Sequence, residues 1–250
     1  RKAFDGQSFR VYNAGASPLM FNFQATRLLL SAPTDETLLN ANVALYPPSE
    51  IITLDNQLKL VEGRCKRRHG RPKLSWAESQ LRISGSFARA CKPRFLMRLI
   101  SEPNQLAFDA FKQFWLGSGG HFEGELKLGH VQKSDELFYT YSSPTLGEQI
   151  RLINKWSNNV MVRQMFLTLG ARHRQPDDRD DLAAAERTIR EWLETKGIDS
   201  QGIVFENGSG LSRLERISAR QMAGLLQQAW ESRFAAELIA SLPLIAMDGT

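Results

Sequence analysis

Nowhere in its 250 residues does this chain carry an apolar run close to the roughly 18 residues of a membrane-spanning helix. It has only two cysteines and four histidines. His69, His121, His130 and His173 are scattered, and neither an H-E-x-x-H pair nor a zinc-spaced cysteine set occurs, so no metal site is expected. A Gly-rich phosphate loop is missing as well, and no cofactor is expected. Internal repeats are absent, which excludes a solenoid. No signal peptide is visible, but the chain starts at Arg1 rather than Met, so that absence says little about compartment.

What is present is an ordinary globular composition, 42% hydrophobic and 24% charged, with a basic excess. The net charge is +5 and the isoelectric point about 9.4. Such a balance suits nucleic acid, a membrane surface or an anionic polymer such as bacterial cell wall. Part of the excess is one tract, R-C-K-R-R-H-G-R-P-K at 64–73. It reads first as a solvated hairpin tip. It has no interleaved aromatics for base stacking, so a nucleic-acid partner is not expected. The alternative is a non-catalytic cell-wall or nucleic-acid binding module that uses this tract. Cys65 and Cys91 each sit beside a strand-like run. A disulfide between them suits an oxidising compartment, and two reduced thiols are the other reading.

Hydrophobic periodicity divides the chain. The run Phe21–Leu30 is apolar and partly alternating. Leu81, Ile83, Gly85 and Phe87 alternate with Arg82, Ser84 and Ser86, as a half-buried strand should, and Phe95–Ile100 gives another strand. After Ser101 the period lengthens. Leu106, Ala107, Ala110, Phe111 and Phe114 share one helical face, and a short strand is expected over Phe122–Leu128. Helices are expected from Ser143-Pro144, from near Val160 to a stop at Gly170, and over Leu182–Leu193. Ser218 with Gln221 forms a capping box for a fourth. The expectation is an α+β protein, β-rich over 1–100 and helix-rich over 101–250.

Two polar stretches interrupt the helical half. Lys155-Trp156-Ser157-Asn158-Asn159 turns suddenly polar between two amphipathic helices, although Ser and Asn cost helix propensity. Taken alone it reads as an interhelical turn with a capping Ser. Asn207-Gly208-Ser209-Gly210-Leu211-Ser212-Arg213 places two glycines around a serine, which permits tight backbone geometry. It is not a G-x-S-x-G nucleophile elbow, because no downstream His follows in a strand-turn-helix frame.

Together and in this order, the two stretches resemble the low-molecular-mass class C penicillin-binding proteins, serine D-alanyl-D-alanine carboxypeptidases/endopeptidases. N-K-W-S-N-N resembles that family's N-K-x-S-x-N. N-G-S-G-L-S-R is similar to its D-G-S-G-L-S-R. Ser241-Leu242-Pro243-Leu244 with Asp248-Gly249-Thr250 resembles its L-P-x-x-x-x-D-G-[ST], and Tyr12-Asn13-Ala14 followed by Asn22-Phe23 resembles the start of its inserted β-domain. The resemblance implies β-rich inserted domains over 1–100, followed over 101–250 by the helical part of a penicillin-binding-protein/β-lactamase-like transpeptidase domain. It implies peptidoglycan stem peptides as substrates, β-lactams as inhibitors and a periplasmic location.

In such a site a Ser of S-x-x-K attacks the D-Ala-D-Ala carbonyl, with the adjacent Lys as base. Preorganised donors meet the developing oxyanion. The resemblance gives Ser157 the S-x-N proton-transfer role and Asn159 the hydrogen bond to the substrate amide. It sets Arg213 near the pocket for the stem peptide's side chain, where a guanidinium grips a carboxylate in two places. Tyr12 and Asp5 line the same pocket. Three departures stand out. No Ser has Lys three positions later, no K-T-G or H-T-G occurs, and Asn207 replaces the signature Asp. The first two imply a central fragment that is catalytically inert by itself, with apolar helix faces left uncovered.

Overall fold

The computed structural model describes residues 4–66, 68–77 and 80–249. The chain forms two compact units, one of Gln7–Gly129 and one of Arg1–Gly6 with His130–Thr250. Among the described residues, the first carries six strands, two short 3-10 turns and one α-helix. The second is helical.

In the strand unit, β1 (Thr26–Ser31) lies between β2 (Asn42–Tyr46) and β6 (Arg94–Arg98), antiparallel to both. A second sheet places β5 (Gln80–Ala88) between β3 (Thr53–Val61), to which it is parallel, and β4 (Lys73–Ala77), to which it is antiparallel. The alternation of β5 becomes burial: Leu81, Ile83 and Phe87 are fully enclosed. They pack with Leu28 and Leu30 of β1, Leu45 of β2 and Leu58 of β3 in one core. Each such side chain contributes about 1.5–3 kcal/mol by leaving water. Residues just ahead of β2 tie the sheets together, Ala41 N–H donating to Leu58 O and Leu60 N–H to Leu39 O, both at 2.8 Å.

Several sequence expectations change here. The run Phe21–Leu30 is not one strand. Asn22, Phe23 and Gln24 adopt φ of 47°, 57° and 53° in a tight 3-10 turn. This turn buries Gln24, whose Nε2 donates to Ser101 O at 2.9 Å. The basic tract is not a hairpin tip, because β3 and β5 are parallel and the connection 62–72 leads across the end of β5 to β4. Arg67 of that tract lies outside the described residues. The helix α1 (Pro103–Gly117) buries Leu106 and Ala110 but leaves Phe111 and Phe114 exposed. Phe122–Leu128 forms no strand. Phe122 instead folds back on α1, its ring 5.7 Å from Phe108 and 5.8 Å from Phe111, while Trp115 Nε1–H donates to His121 O at 2.9 Å.

The helical unit begins its regular structure at α2 (Leu146–Trp156), two residues beyond Pro144, because Thr145 and Glu148 make a reciprocal capping box. Next come α3 (Asn159–Arg172), α4 (Asp181–Thr195), α5 (Ala219–Glu231) and α6 (Ala235–Ser241). Gly170 does not stop α3. It lies within the helix, where a Cβ would fall 1.8 Å from Asp181 O, so it is the point where α3 meets the start of α4. Ser218 and Gln221 cap α5 reciprocally, as their spacing predicts. Two arginines of α4 fasten the neighbouring loops. Arg187 donates to Asp178 and to His173 O, and Arg190 donates to Ser200 O at 2.7 Å and Ile203 O at 2.6 Å. Among the described residues, no helix is long and apolar enough to cross a membrane.

Candidate active site

The turn between α2 and α3 divides its labour residue by residue. Ser157 closes α2 in the left-handed conformation, φ 49° and ψ 47°. For a residue with a Cβ that conformation costs about 1–2 kcal/mol. The capping oxygen comes not from Ser157 but from buried Asn158, which accepts from Met161 N–H at 3.1 Å. Ser157 is thereby left exposed, and no hydrogen bond to its Oγ forms among the described residues. Asn159 opens α3 and donates Nδ2–H to Ser209 O at 2.8 Å.

That carbonyl belongs to the N-G-S-G-L-S-R loop, which is built from its own side chains. Asn207 Oδ1 accepts from Ser209 N–H at 2.9 Å and also from the Ser209 hydroxyl. Asn207 Nδ2–H donates to Leu211 O at 3.4 Å, a bond that a carboxylate at this position has no proton to make. The negative charge comes from Glu215, whose Oε1 accepts from Asn207 N–H and Gly208 N–H, each at 3.1 Å. Gly208, at φ 66°, leaves no room for a side chain, because a Cβ would lie 2.9 Å from the Phe166 ring. The Ser209 hydroxyl is occupied and nearly buried, which suits a structural serine.

A third stretch converges on the same helix end. Asn154 Nδ2–H donates to buried Ser241 Oγ at 2.7 Å. Lys155 Nζ donates to Leu242 O at 2.6 Å and to both Asp248 oxygens at 2.8 and 2.6 Å. Asp248 Oδ1 also accepts from Leu244 N–H at 2.8 Å. The Lys155 ammonium first, and this backbone bond second, hold the Asp248 carboxyl below its usual range. Gly249, at φ 83°, lies so close that a Cβ would be 2.7 Å from Lys155 O. Sequence reasoning missed Asn154 and Lys155 as anchors. Their signal was present, in the first two letters of N-K-W-S-N-N and in an opposite charge at Asp248.

Ser157, Asn158 and Asn159 thus face Gly208, Ser209 and Gly210 across an open groove of about 300 Å³. Arg213 is exposed at the end of the loop, its guanidinium 5.5 Å from the centre of the Phe4 ring, and Asp5 follows Phe4 in the chain. Tyr12 belongs to the strand unit, in the short turn Val11–Asn13. Cys65 is bonded to Cys91. Among the described residues, no three His, Cys, Asp or Glu side chains gather as a metal site requires. The groove therefore offers an unpaired hydroxyl and a fixed carboxamide side by side on rigid elements, the kind of pair that handles a proton and holds an amide.

Comparison with known proteins agrees with these motifs. The profile of the D-Ala-D-Ala carboxypeptidase 3 (S13) family matches residues 10–250. The chain is 28% identical over 165 residues to a D-alanyl-D-alanine carboxypeptidase of Actinomadura sp. strain R39, a match covering 65% of this chain and 30% of that protein. It is 20% identical over 172 residues to the D-alanyl-D-alanine carboxypeptidase DacB of Haemophilus influenzae, covering 69% of this chain and 36% of the relative. The crystal structure of penicillin binding protein 4 (dacB) from Haemophilus influenzae superposes with a TM-score of 0.72 at 16% identity, over 100% of this chain and 56% of the other. The same protein complexed with a novel β-lactam gives 0.68 at 17% identity, over 92% and 52%. The chain thus spans about a third of the curated relatives and about half of the solved chains, whose fold it shares. With the family profile matched from residue 10 to residue 250, the chain belongs to the D-Ala-D-Ala carboxypeptidase 3 (S13) family.

Proposed function

We propose that the protein carrying this chain is a serine-type D-Ala-D-Ala carboxypeptidase/endopeptidase. It would act on peptidoglycan stem peptides through an acyl-enzyme, be acylated by β-lactams and work in the periplasm. The names of the relatives support the reaction class, and the β-lactam bound to the Haemophilus influenzae protein supports the inhibitor. The Cys65–Cys91 bond supports an oxidising compartment. In this reading residues 1–100 belong to inserted β-domains and 101–250 to the catalytic domain.

The observation that carries the proposal is the Ser157 corner, a strained, exposed and unpaired hydroxyl beside an Asn159 fastened to the N-G-S-G loop. Strain of this kind persists where the surroundings over-determine it, and it clusters at active sites. An acyl transfer needs a nucleophilic Ser with its Lys, which these 250 residues do not supply, and a second group to pass the proton to the departing D-Ala. Ser157 takes that second role. Asn159 holds the substrate amide, and Arg213, with Asp5, receives the stem peptide's side chain.

Reading the gene on both sides of these 250 codons is the first step. The protein encoded by the whole frame is then expected to release D-Ala from a pentapeptide and to bind fluorescent penicillin covalently. In it, Ser157→Ala should slow acylation by about 10²–10⁴-fold, the usual worth of a positioned proton-transfer group, with an unchanged circular dichroism spectrum. Acylation at the wild-type rate would remove Ser157 from the mechanism. The 250-residue chain alone should stay unlabelled.

A further inference from the structure

The described residues of the connection 62–72 are fixed more firmly than a solvated loop requires. Cys65 is bonded to Cys91, three residues beyond the end of β5. Gly70 N–H donates to Ser86 O at 3.1 Å, and His69 N–H to Lys66 O at 2.9 Å. His69 is buried, and its Nδ1 accepts from Lys66 N–H at 3.2 Å. Arg94 of β6 lies across the loop and donates to His69 O at 3.0 Å. It passes so close to Gly70 that a Cβ there would be 2.7 Å from its Cδ.

On this frame Arg64, Lys66, Arg68, Arg71, Lys73 and Lys92 are all exposed, and none forms an ion pair among the described residues. Three other cations of the strand unit have carboxylate partners: Arg82 pairs with Asp55, Arg89 with Glu62 at the start of the connection, and Lys112 with Glu50. Unpaired like charges held close together repel and destabilise the folded state, so a frame that holds them together works against stability unless an anion joins them. Fixing their positions beforehand lowers the ordering cost of binding.

We propose that this stapled basic loop is a docking surface for an anionic polymer of the cell wall that carries repeated phosphodiester groups. The loop offers no aromatic platform for bases, which disfavours single-stranded nucleic acid. Its exposed residues include no large apolar side chain to enter a bilayer, which disfavours insertion into a membrane surface. The inference takes from the proposed function only its setting, a polyanionic wall, and its readout is binding rather than D-Ala release.

The test measures binding of the chain to purified poly(glycerol phosphate) between 50 and 200 mM salt. For five or so neutralised charges, affinity should fall on the order of 100-fold across that range. A variant with Gln at Arg64, Lys66, Arg68, Arg71 and Lys73 should lose at least tenfold in affinity and most of the salt slope. Replacement of Cys65 and Cys91 by Ser, which keeps every charge, should weaken binding severalfold. A thermal melt confirms that each variant folds. Two independent results would overturn the proposal. One is binding by the five-fold Gln variant equal to that of the unaltered chain. The other is tighter binding, at equal charge concentration, to phosphatidylglycerol vesicles or to DNA. Loss of D-Ala release by the complete enzyme would bear only on the catalytic reading.

Discussion

Among the ten largest fully buried side chains of the described residues, Phe87, Leu28, Leu30, Leu58, Leu81 and Ile83 are all in the strand unit, and the helical unit contributes only Ser241. The helices leave Trp156, Leu226, Trp230, Phe234 and Ile239 exposed. What the helical unit has instead is polar fastening, concentrated where its three motifs meet: Asn154 to Ser241, Lys155 to Asp248, Asn159 to Ser209. Apolar burial is non-directional and fills a core without fixing one side chain to an ångström. Hydrogen bonds and ion pairs specify direction and distance. The strand unit is stabilised by the first, and the Ser157 corner is positioned by the second.

The largest effect tests the first half of that contrast. Phe87→Ala should cost about 3–5 kcal/mol, the usual toll of removing a buried aromatic ring from a packed core. Hydrogen exchange should then quicken throughout β1, β3 and β5 while α3 and α4 keep their protection. If α3 and α4 lost protection equally, the two units would be folding as one and the contrast would fail.

A smaller effect tests the second half. Lys155→Met keeps most of the side chain's apolar length and removes the ammonium that joins Leu242 O and Asp248. Amide exchange at Ser157–Asn159 and Leu244–Gly249 should quicken by about tenfold, the size expected for losing a charge-assisted hydrogen bond. Protection in β5 should not change. Unaltered exchange at Ser157–Asn159 would mean that the corner is held by packing, and that the polar fastening is incidental.

These elements differ in how plainly the sequence announces them. The alternation of β5 and the Ser218/Gln221 capping box are local, complete within a few residues, and they became structure as read. Gly170 was misread because a glycine that ends a helix and one that admits a neighbouring helix look alike until the neighbour is placed. Phe122 belonged to an alternating run, but α1 already displayed Phe108 and Phe111, and edge-to-face packing against them outcompeted strand formation. The parallel pairing of β3 and β5 depends on the chain passing the end of β5 to lay β4 along its far side, which no local pattern encodes. Ser157 and Asn159 were singled out by their motif, and the structure brings both beside the 208–210 loop. The division of work between Asn158 and Ser157 needed backbone angles, and Lys155 finds Asp248 only across 93 residues of chain.

The smallest effect separates the units by acid. Asp178 accepts two hydrogen bonds from Arg187 and one from Gln175 N–H at 2.7 Å. The Arg187 guanidinium foremost, then that backbone bond, lowers its carboxyl to about 2. An unfolded Asp titrates near 3.9. The unfolded chain therefore takes up this proton first as pH falls. The stabilisation is complete above about pH 4 and disappears as pH drops towards about 2. Because the Arg187 side chain keeps about a quarter of its surface in solvent, the gain is modest and salt should reduce it further. Melting followed in the helical unit alone should show a limb between about pH 4 and pH 2 that Asp178→Asn flattens. Exchange in the strand unit should show no difference between wild type and variant over that interval. If the limb persisted unaltered in Asp178→Asn, it would belong to other carboxylates, and the α3–α4 link would owe its order to the Gly170 contact rather than to the Arg187 pair.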